Sequence, residues 1–342
     1  METLLPRHAF ILGGTGQIGR AVADALLARG WAVTLGSRGG ATPTELAARG
    51  ATGVALDREE ARALGRALGG GADLLVDAVA YDAGHADQLL GVEQDVGHIV
   101  AISSASVYRD AAGRTLDEAA ANGFPELPER MTETQPTVEP GPATYSTRKV
   151  AMERRLLDGA RGPATVLRPC AIHGPYSGHP REWWFVRRAL DGRTRIPLAH
   201  GGASRFHTSA AANIAALVAA IAALPGKRVL NAVDPEPPSV LEIGRAILAL
   251  LDHDAELVPV PDAGVGATPW SVPRPFTFSD AAARTVGYAP VGGYAETVGA
   301  AVAWLAGGAS GDDWRTAFPQ LAAYPWPLFD YQGEDRWLDG GR

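Results

Sequence analysis

The chain has 342 residues, of which 46% are apolar and 20% charged, with a formal net charge of −7. That length suits two lobes or one large α/β domain with an appendage, and the composition excludes both a disordered chain and a small disulfide scaffold. The negative charge opposes the basic patch that phosphate-backbone binding requires, so nucleic acid is not an expected partner.

A single cysteine, Cys170, excludes an intramolecular disulfide and a cysteine-clustered metal site, and it suits a reducing compartment. The eight histidines are scattered, with no His-x-His or His-x-x-x-His pair, so no metal is expected. Met1–His8 is polar and lacks an apolar export region, and Gly, Pro or a charge interrupts every apolar run before the ~18 residues of a membrane span. The expectation is therefore a cytoplasmic protein without a membrane partner.

In chain order, His8–Leu12 predicts a short strand ending in glycines, and Ile18–Arg29 carries apolar residues at helical spacing. Further strands are predicted at Trp31–Leu35, Gly53–Leu56, Asp73–Val79 and His98–Ser103, separated by Ala/Arg/Leu-rich helical segments. That alternation predicts a Rossmann-type, doubly wound parallel sheet of the α/β class. Residues 109–143 break the rhythm with five prolines and read as a long excursion above the sheet.

A helix is predicted at Thr144–Asp158, a sixth strand at Ala164–Arg168, a loop at Pro169–Pro180 and a helix at Arg181–Leu190. Val229–Ala232 reads as a late strand and Ser239–Leu251 as a helix, with Ser239 and Glu242 spaced as a capping box. Proline-rich chain follows from about residue 255, then helices near Ser279–Val286 and Ala295–Leu305, then a tail rich in aromatics from Trp314 to Trp337. Those aromatics either pin an irregular tail to the body or cover a substrate or subunit contact. The proposed division assigns 1–170 and about 201–254 to the nucleotide-binding domain, and about 171–200 and 255–342 to a smaller C-terminal substrate-binding lobe.

The segment Gly13, Gly14, Thr15, Gly16, Gln17, Ile18, Gly19 closes the first strand and opens the first helix as G-x-x-G-x-x-G. Glycines permit a tight turn and close approach to a pyrophosphate, whose charge then sits on free N–H groups at the helix start. At the end of the second strand, NAD sites usually place a carboxylate and NADP sites an arginine. Here the residues are Gly36, Ser37 and Arg38, so NADP(H) is expected rather than NAD, with a solvated loop charge as the alternative role for Arg38. Asp57, after the third strand, is either a contact to the adenine or a helix cap.

Tyr145 and Lys149 stand four residues apart, on one face of a helix, in a chain with only two lysines. A cation beside a phenol favours the phenolate and would lower its pKa, making it a proton donor and acceptor near neutral pH. Ser103, Ser104 and Ser106 lie where the fifth strand ends, at the edge where open α/β sheets bind ligands.

Together with Leu167-Arg168-Pro169, Gly174-Pro175, Phe278-Ser279-Asp280 and Val286-Gly287-Tyr288, these motifs make the chain resemble, over nearly its whole length, the extended short-chain dehydrogenases/reductases, the superfamily of nucleotide-sugar epimerases and dehydratases. The resemblance implies that Ser104 orients the substrate oxygen, that Tyr145 is the general acid/base, and that Lys149 is both ribose ligand and pKa modulator. It also implies that Ala80, Pro169, Cys170 and Ile172 line the cofactor, and that a homodimer forms through the helix bearing Tyr145 and its neighbour near Ala83–Val92.

The chain departs from its relatives in two places. Dehydratases carry an Asp-Glu pair where Ala105-Ser106 stand, which disfavours elimination. Nucleotide-sugar enzymes commonly carry Asn where Ala171 stands, which counts against a substrate diphosphate, although Arg205 falls where many keep an arginine for that group.

The balance favours a reductase acting on a small or apolar carbonyl compound, with an epimerase using a transient ketone, or a non-catalytic NADP sensor or RNA-binding relative, as alternatives. Ser106, His173, Trp183, Trp184 and Arg205 are the candidate substrate contacts. His207 is a further one. For each, a structural role is the alternative: core packing for the tryptophans, hydrogen bonding for the histidines and a surface charge for the arginine.

Overall fold

A strand that is apolar along its whole length must be covered on both faces, and that demand organises this chain. The computed structural model describes residues 6–60 and 62–340. Its strands are β1 (His8–Leu12), β2 (Ala32–Ser37), β3 (Thr52–Ala55), β4 (Leu74–Asp77), β5 (Ile99–Ile102), β6 (Ala164–Pro169), β7 (Ala171–His173), β8 (Arg195–Leu198), β9 (Thr208–Ala210), β10 (Arg228–Ala232) and β11 (Glu256–Pro259). Seven of them form one sheet in the order β10-β6-β5-β4-β1-β2-β3, and every neighbouring pair is parallel.

The helices between them are α1 (Gln17–Leu27), α2 (Thr44–Ala47), α3 (Ala63–Leu68), α4 (Ala83–Leu90), α5 (Ala119–Asn122), α6 (Tyr145–Gly159), α7 (Trp183–Leu190), α8 (Ala211–Ala223) and α9 (Val240–Leu250). One core joins Val22, Ala23 and Leu26 of α1, β1 and β4 to Ile214, Leu217, Val218 and Ile221 of α8. A second, on the other face, joins Phe10, Leu75 and Val166 to Ala86 and Leu89 of α4 and Met152 and Leu156 of α6. This is the Rossmann-type arrangement expected, and strand order reverses at β1/β4, so a crevice opens beyond the carboxyl ends of those strands.

Two helix starts follow the sequence closely. Ser239 caps α9 and Glu242 returns the bond to the Ser239 N–H, completing the capping box. Thr144 caps α6 in the same reciprocal way, with Thr147 in the third position. The proline-rich excursion carries one turn of helix, α5, and is tied down by bridges between Tyr108 and Thr137 and between Met131 and Phe278.

Three features depart from expectation. Helix α8 is almost wholly apolar, alanine even on its exposed stripe, so it carries no amphipathic signature; its Ile214, Leu217, Val218 and Ile221 pack with α1 in one core. The pairs β7/β9 and β8/β11 are separate two-stranded parallel sheets of three and four residues per strand, joined across long stretches of chain. The helix expected at Ala295–Leu305 is divided into α11 (Tyr294–Thr297) and α12 (Gly299–Trp304) and follows the short α10 (Ala281–Thr285). The chain ends in α13 (Trp314–Ala317), α14 (Pro319–Ala322) and α15 (Tyr331–Leu338).

A third core packs Trp183, Trp184 and Phe185 of α7 against α9, α11, α12 and Phe318, Leu321 and Leu328 of the tail. The aromatics Trp314, Tyr324 and Phe329 lie partly buried against it. No helix among the described residues is long and apolar enough to cross a membrane.

Candidate active site

The glycine loop is shaped by contacts that exclude side chains. Gly13 has φ +73°, a Cβ on Gly14 would stand 2.7 Å from the Leu35 Cβ, and one on Gly19 would stand 2.3 Å from the Gly13 carbonyl oxygen. Gly16 is the N-cap of α1 and supplies no side-chain cap, so the first-turn N–H groups of α1 keep their donors. Thr15 and Ile18 flank Gly16 and Gln17, and the Gln17 Nε2 donates to the Gly174 carbonyl at 2.9 Å. A loop this close to its strand, facing a helix start without a cap, fits the pyrophosphate of a dinucleotide.

At the end of β2, Ser37 is half-buried and Arg38 exposed, with no carboxylate in the turn. Asp57 is exposed, and its Oδ1 accepts from the Glu59 N–H at 3.0 Å, the turn-capping alternative. Behind β4, Arg58 makes an ion pair with the buried Asp77 at 3.0 Å.

The helix α6 presents Tyr145 and Lys149 on one face, and the buried Arg168–Glu153 ion pair, 2.5 Å, fixes α6 to β6 one turn further on. Lys149 is buried and donates to the carbonyls of Ala80 at 2.5 Å and Ile102 at 3.0 Å. Burial pulls its ammonium pKa down to about 8, with Asp77 and Glu153 opposing. The nitrogen lies 5.5 Å from the centroid of the Tyr145 ring. Burial pushes the Tyr145 phenol above its ordinary value, the Ser104 hydroxyl opposes, and Asp117 and Tyr81 add to the rise. The expected lowering by Lys149 is thus not what this arrangement produces: desolvation dominates, and the ammonium is committed to two main-chain carbonyls.

Ser104 and Ser106 belong to a hydroxyl cluster. The Ser104 Oγ donates to the Ser106 Oγ at 3.0 Å, and the Ser146 Oγ approaches the same atom at 2.8 Å. The Asp117 carboxylate accepts from the Ser146 N–H at 2.8 Å, so the proline-rich excursion caps the start of α6. One cavity of about 530 Å³ gathers Gln17, Ser104, Ser106, Tyr145, Pro169, Cys170 and Ile172. Burial pushes the Cys170 thiol up to about 12, which keeps it a protonated packing group.

Five expected substrate contacts are not among the residues lining that cavity. Trp183 and Trp184 are 1% exposed and belong to the third core, which removes the support they lent to an apolar substrate. His173 is buried and bonds through Nε2 to Asp234 at 2.9 Å. Arg205 turns to the Pro237 carbonyl and Glu242 and lines a different cavity. His207 is also buried, bonded to the Asp234 carbonyl and to the Phe278 N–H. Ala171 is 2% exposed within β7.

The same cavity is lined by residues that local sequence did not single out: Asp117, His179, Arg181, Phe206 and Gln320. They come from four separated stretches of chain, and no spacing rule joins them. No group of three or more His, Cys, Asp or Glu suited to a metal occurs among the described residues.

The model of the NAD dependent epimerase/dehydratase family matches residues 9–232. Among solved structures, a UDP-galactose 4-epimerase is similar at 18% identity and TM-score 0.63, covering 88% of this chain and 99% of that one. A putative epimerase from Burkholderia cenocepacia is similar at 22% identity and TM-score 0.66 over the same shares. A Thermus thermophilus UDP-glucose 4-epimerase, solved in complex with NAD, is similar at 19% and TM-score 0.65, again over those shares. None of the curated proteins matches the sequence.

Proposed function

Because the chain belongs to the NAD dependent epimerase/dehydratase family, we propose that it is an NADP(H)-dependent oxidoreductase interconverting a carbonyl and an alcohol, with Tyr145 as general acid/base. The observation that carries the reading is the convergence of Ser104 and Tyr145 in one cavity, with Lys149 buried behind them at the carboxyl ends of β4 and β5.

The glycine loop and the start of α1 would hold the pyrophosphate, Ser37 and Arg38 the 2′-phosphate, and Lys149 the nicotinamide ribose. Pro169, Cys170 and Ile172 would lie against the nicotinamide. The cofactor, when bound, supplies or accepts a hydride at the substrate carbon. Ser104 holds the substrate oxygen, and in the reductive direction the Tyr145 O–H gives its proton to that oxygen as negative charge develops there. Lys149, with two protons committed to Ala80 and Ile102, keeps one for a ribose hydroxyl.

A second reading is an epimerase that forms a transient ketone with the same three residues, and the epimerases among the similar solved structures support it. Against a nucleoside diphosphate substrate stand the burial of Ala171 and the turning of Arg205 to Pro237 and Glu242.

Native mass spectrometry of the purified protein, before and after excess NADPH and NADH, separates the two and also counts subunits, testing the homodimer. Selective, exchangeable loading of NADPH supports the reductase. NAD bound stoichiometrically and without exchange overturns it in favour of the epimerase.

A further inference from the structure

The cavity that holds Ser104 and Tyr145 carries one cationic side chain among its described lining residues, Arg181, from the segment between β7 and α7. Elsewhere among the described residues, Arg58, Arg168 and Arg188 have carboxylate partners: Asp77, Glu153 and Glu334. Arg181 forms no ion pair among the described residues; its Nε is buried without a hydrogen-bond partner, while its guanidinium also bonds the Tyr324 hydroxyl, a neutral group. Arg181 is half-buried, and a guanidinium partly withdrawn from water beside a cavity, without a counter-ion of its own, is a ready partner for an anion that enters.

The surroundings keep that charge free. Glu182, the next residue, is buried and accepts from the Tyr294 hydroxyl at 3.3 Å rather than pairing with Arg181; burial pushes its carboxyl pKa up, with Arg181 among the groups that oppose. His179 is held neutral, its pKa pulled down to about 3 by burial and by Arg181, while its Nε2 lies 3.0 Å from the Tyr324 hydroxyl. Phe206 lies 5.9 Å from the guanidinium carbon. Asp117, the carboxylate lining the cavity, already accepts from the Ser146 N–H.

We propose that Arg181 receives an oxyanion of the substrate, a carboxylate or a phosphate, while Ser104 and Tyr145 hold its carbonyl oxygen. This inference rests on the carbonyl–alcohol reading above and names its substrate class: a small anionic carbonyl compound rather than an apolar one. The planar guanidinium fork offers paired N–H donors that match such a group. Arg181 would then set substrate orientation and specificity without taking part in proton transfer.

The test uses NADPH-loaded protein and three matched probes: benzaldehyde, 4-carboxybenzaldehyde and 4-formylphenyl phosphate. NADPH oxidation gives kcat/KM, and saturation-transfer NMR gives binding in the absence of turnover. The expected result is a preference of about tenfold or more for one anionic aldehyde over benzaldehyde, the hydrogen-bonded charge pair being worth about 1.4 kcal/mol or more. Which anion wins distinguishes carboxylate from phosphate. In R181A the preference falls to about one, and in R181K, which keeps the charge but loses the fork, an intermediate preference remains; NADPH binding by tryptophan fluorescence verifies that both variants are folded.

Turnover of all three aldehydes at equal efficiency, or a preference that survives R181A, overturns the proposal and leaves the reductase reading standing. Arg181-dependent binding of the anionic probes without turnover upholds the proposal and removes the reductase reading. Absence of both turnover and anion-dependent binding overturns the Arg181 proposal.

Discussion

The Nε2 of His173 bonds to the Oδ2 of Asp234 at 2.9 Å, and both side chains are buried. The same carboxylate accepts from the Thr208 hydroxyl at 2.6 Å, the Ala210 N–H at 2.7 Å and the Asn213 amide at 2.8 Å. A histidine beside the Gly174-Pro175 loop is therefore a support that joins β7, β9 and α8 to the chain after β10. Removing one partner of a buried pair leaves the other desolvated and unmatched. His173→Phe is expected to lower the unfolding free energy by about 3 kcal/mol, read as the midpoint shift in urea denaturation; an unchanged midpoint would refute the supporting role.

Acid should destabilise the fold well before its carboxylates titrate. Burial pulls His98 and His207 down to about 4 and His179 to about 3. Each folded value lies below the unfolded value near 6.5, so below that pH the unfolded chain binds more protons and stability falls as pH drops from about 6.5 toward 4. Each extra proton gives a slope of about 1.4 kcal/mol per pH unit. Asp234, held down to about 2 by its partners against the opposing pull of burial, acts lower: its contribution is complete above the ordinary carboxylate pKa and is lost as pH falls from about 4 to about 2. A melting temperature that stays flat from pH 6.5 to 4.5 would contradict the buried neutral imidazoles.

Tyr145→Phe is expected to lower turnover by about a thousandfold or more, since general acid–base catalysis contributes about 10²–10⁴-fold. Ser104→Ala should lose about 10²-fold, the scale of one hydrogen-bond donor to a developing oxyanion. Both variants should retain NADPH binding by fluorescence titration. Near-normal turnover in either one would remove that residue from the reaction.

Arg38→Gln is expected to weaken NADPH binding by about 10–100-fold and to leave NADH nearly unaffected, because a hydrogen-bonded charge on the 2′-phosphate contributes about 1.5–3 kcal/mol. Calorimetric titration with both cofactors checks this. Equal losses for the two would return Arg38 to the role of a solvated loop charge.

The tail is fastened by Arg188, which lies buried over the Trp184 ring, donates to the Trp184 and Leu328 carbonyls and pairs with Glu334 of α15. Glu334→Ala leaves that guanidinium without its counter-ion, and a loss of about 3–5 kcal/mol in unfolding free energy is expected. Hydrogen exchange should then rise first in residues 331–338; unchanged protection there would show that α15 is held by other contacts.

Much of the fold was legible because its signals are local. The apolar runs beginning at His8, His98 and Ala164, the glycines from Gly13 to Gly19 and the Ser239/Glu242 spacing each state a backbone requirement within a few residues. Helix α8 was not legible, because the stripe it leaves toward solvent (Ala212, Ala216, Ala220 and Ala223) is alanine, so no polar residue sets its period. The three-residue strands β7 and β9 were not legible because each is defined only by the other.

For the site, the sequence by itself determined the glycine loop, the Tyr145/Lys149 helix face and the serines at the end of β5. These lie on single elements whose geometry is fixed by spacing. Tertiary structure decided everything that depends on which elements meet: that His173, Trp183, Trp184 and Arg205 do not line the cavity, that Arg181, His179 and Gln320 do, and that desolvation outweighs Lys149 in setting the Tyr145 phenol. The physical reason is the same in each case. Helical or strand periodicity says which side of an element a residue occupies, but only the packing of distant segments says whether that side faces a core, a counter-charge or a cleft.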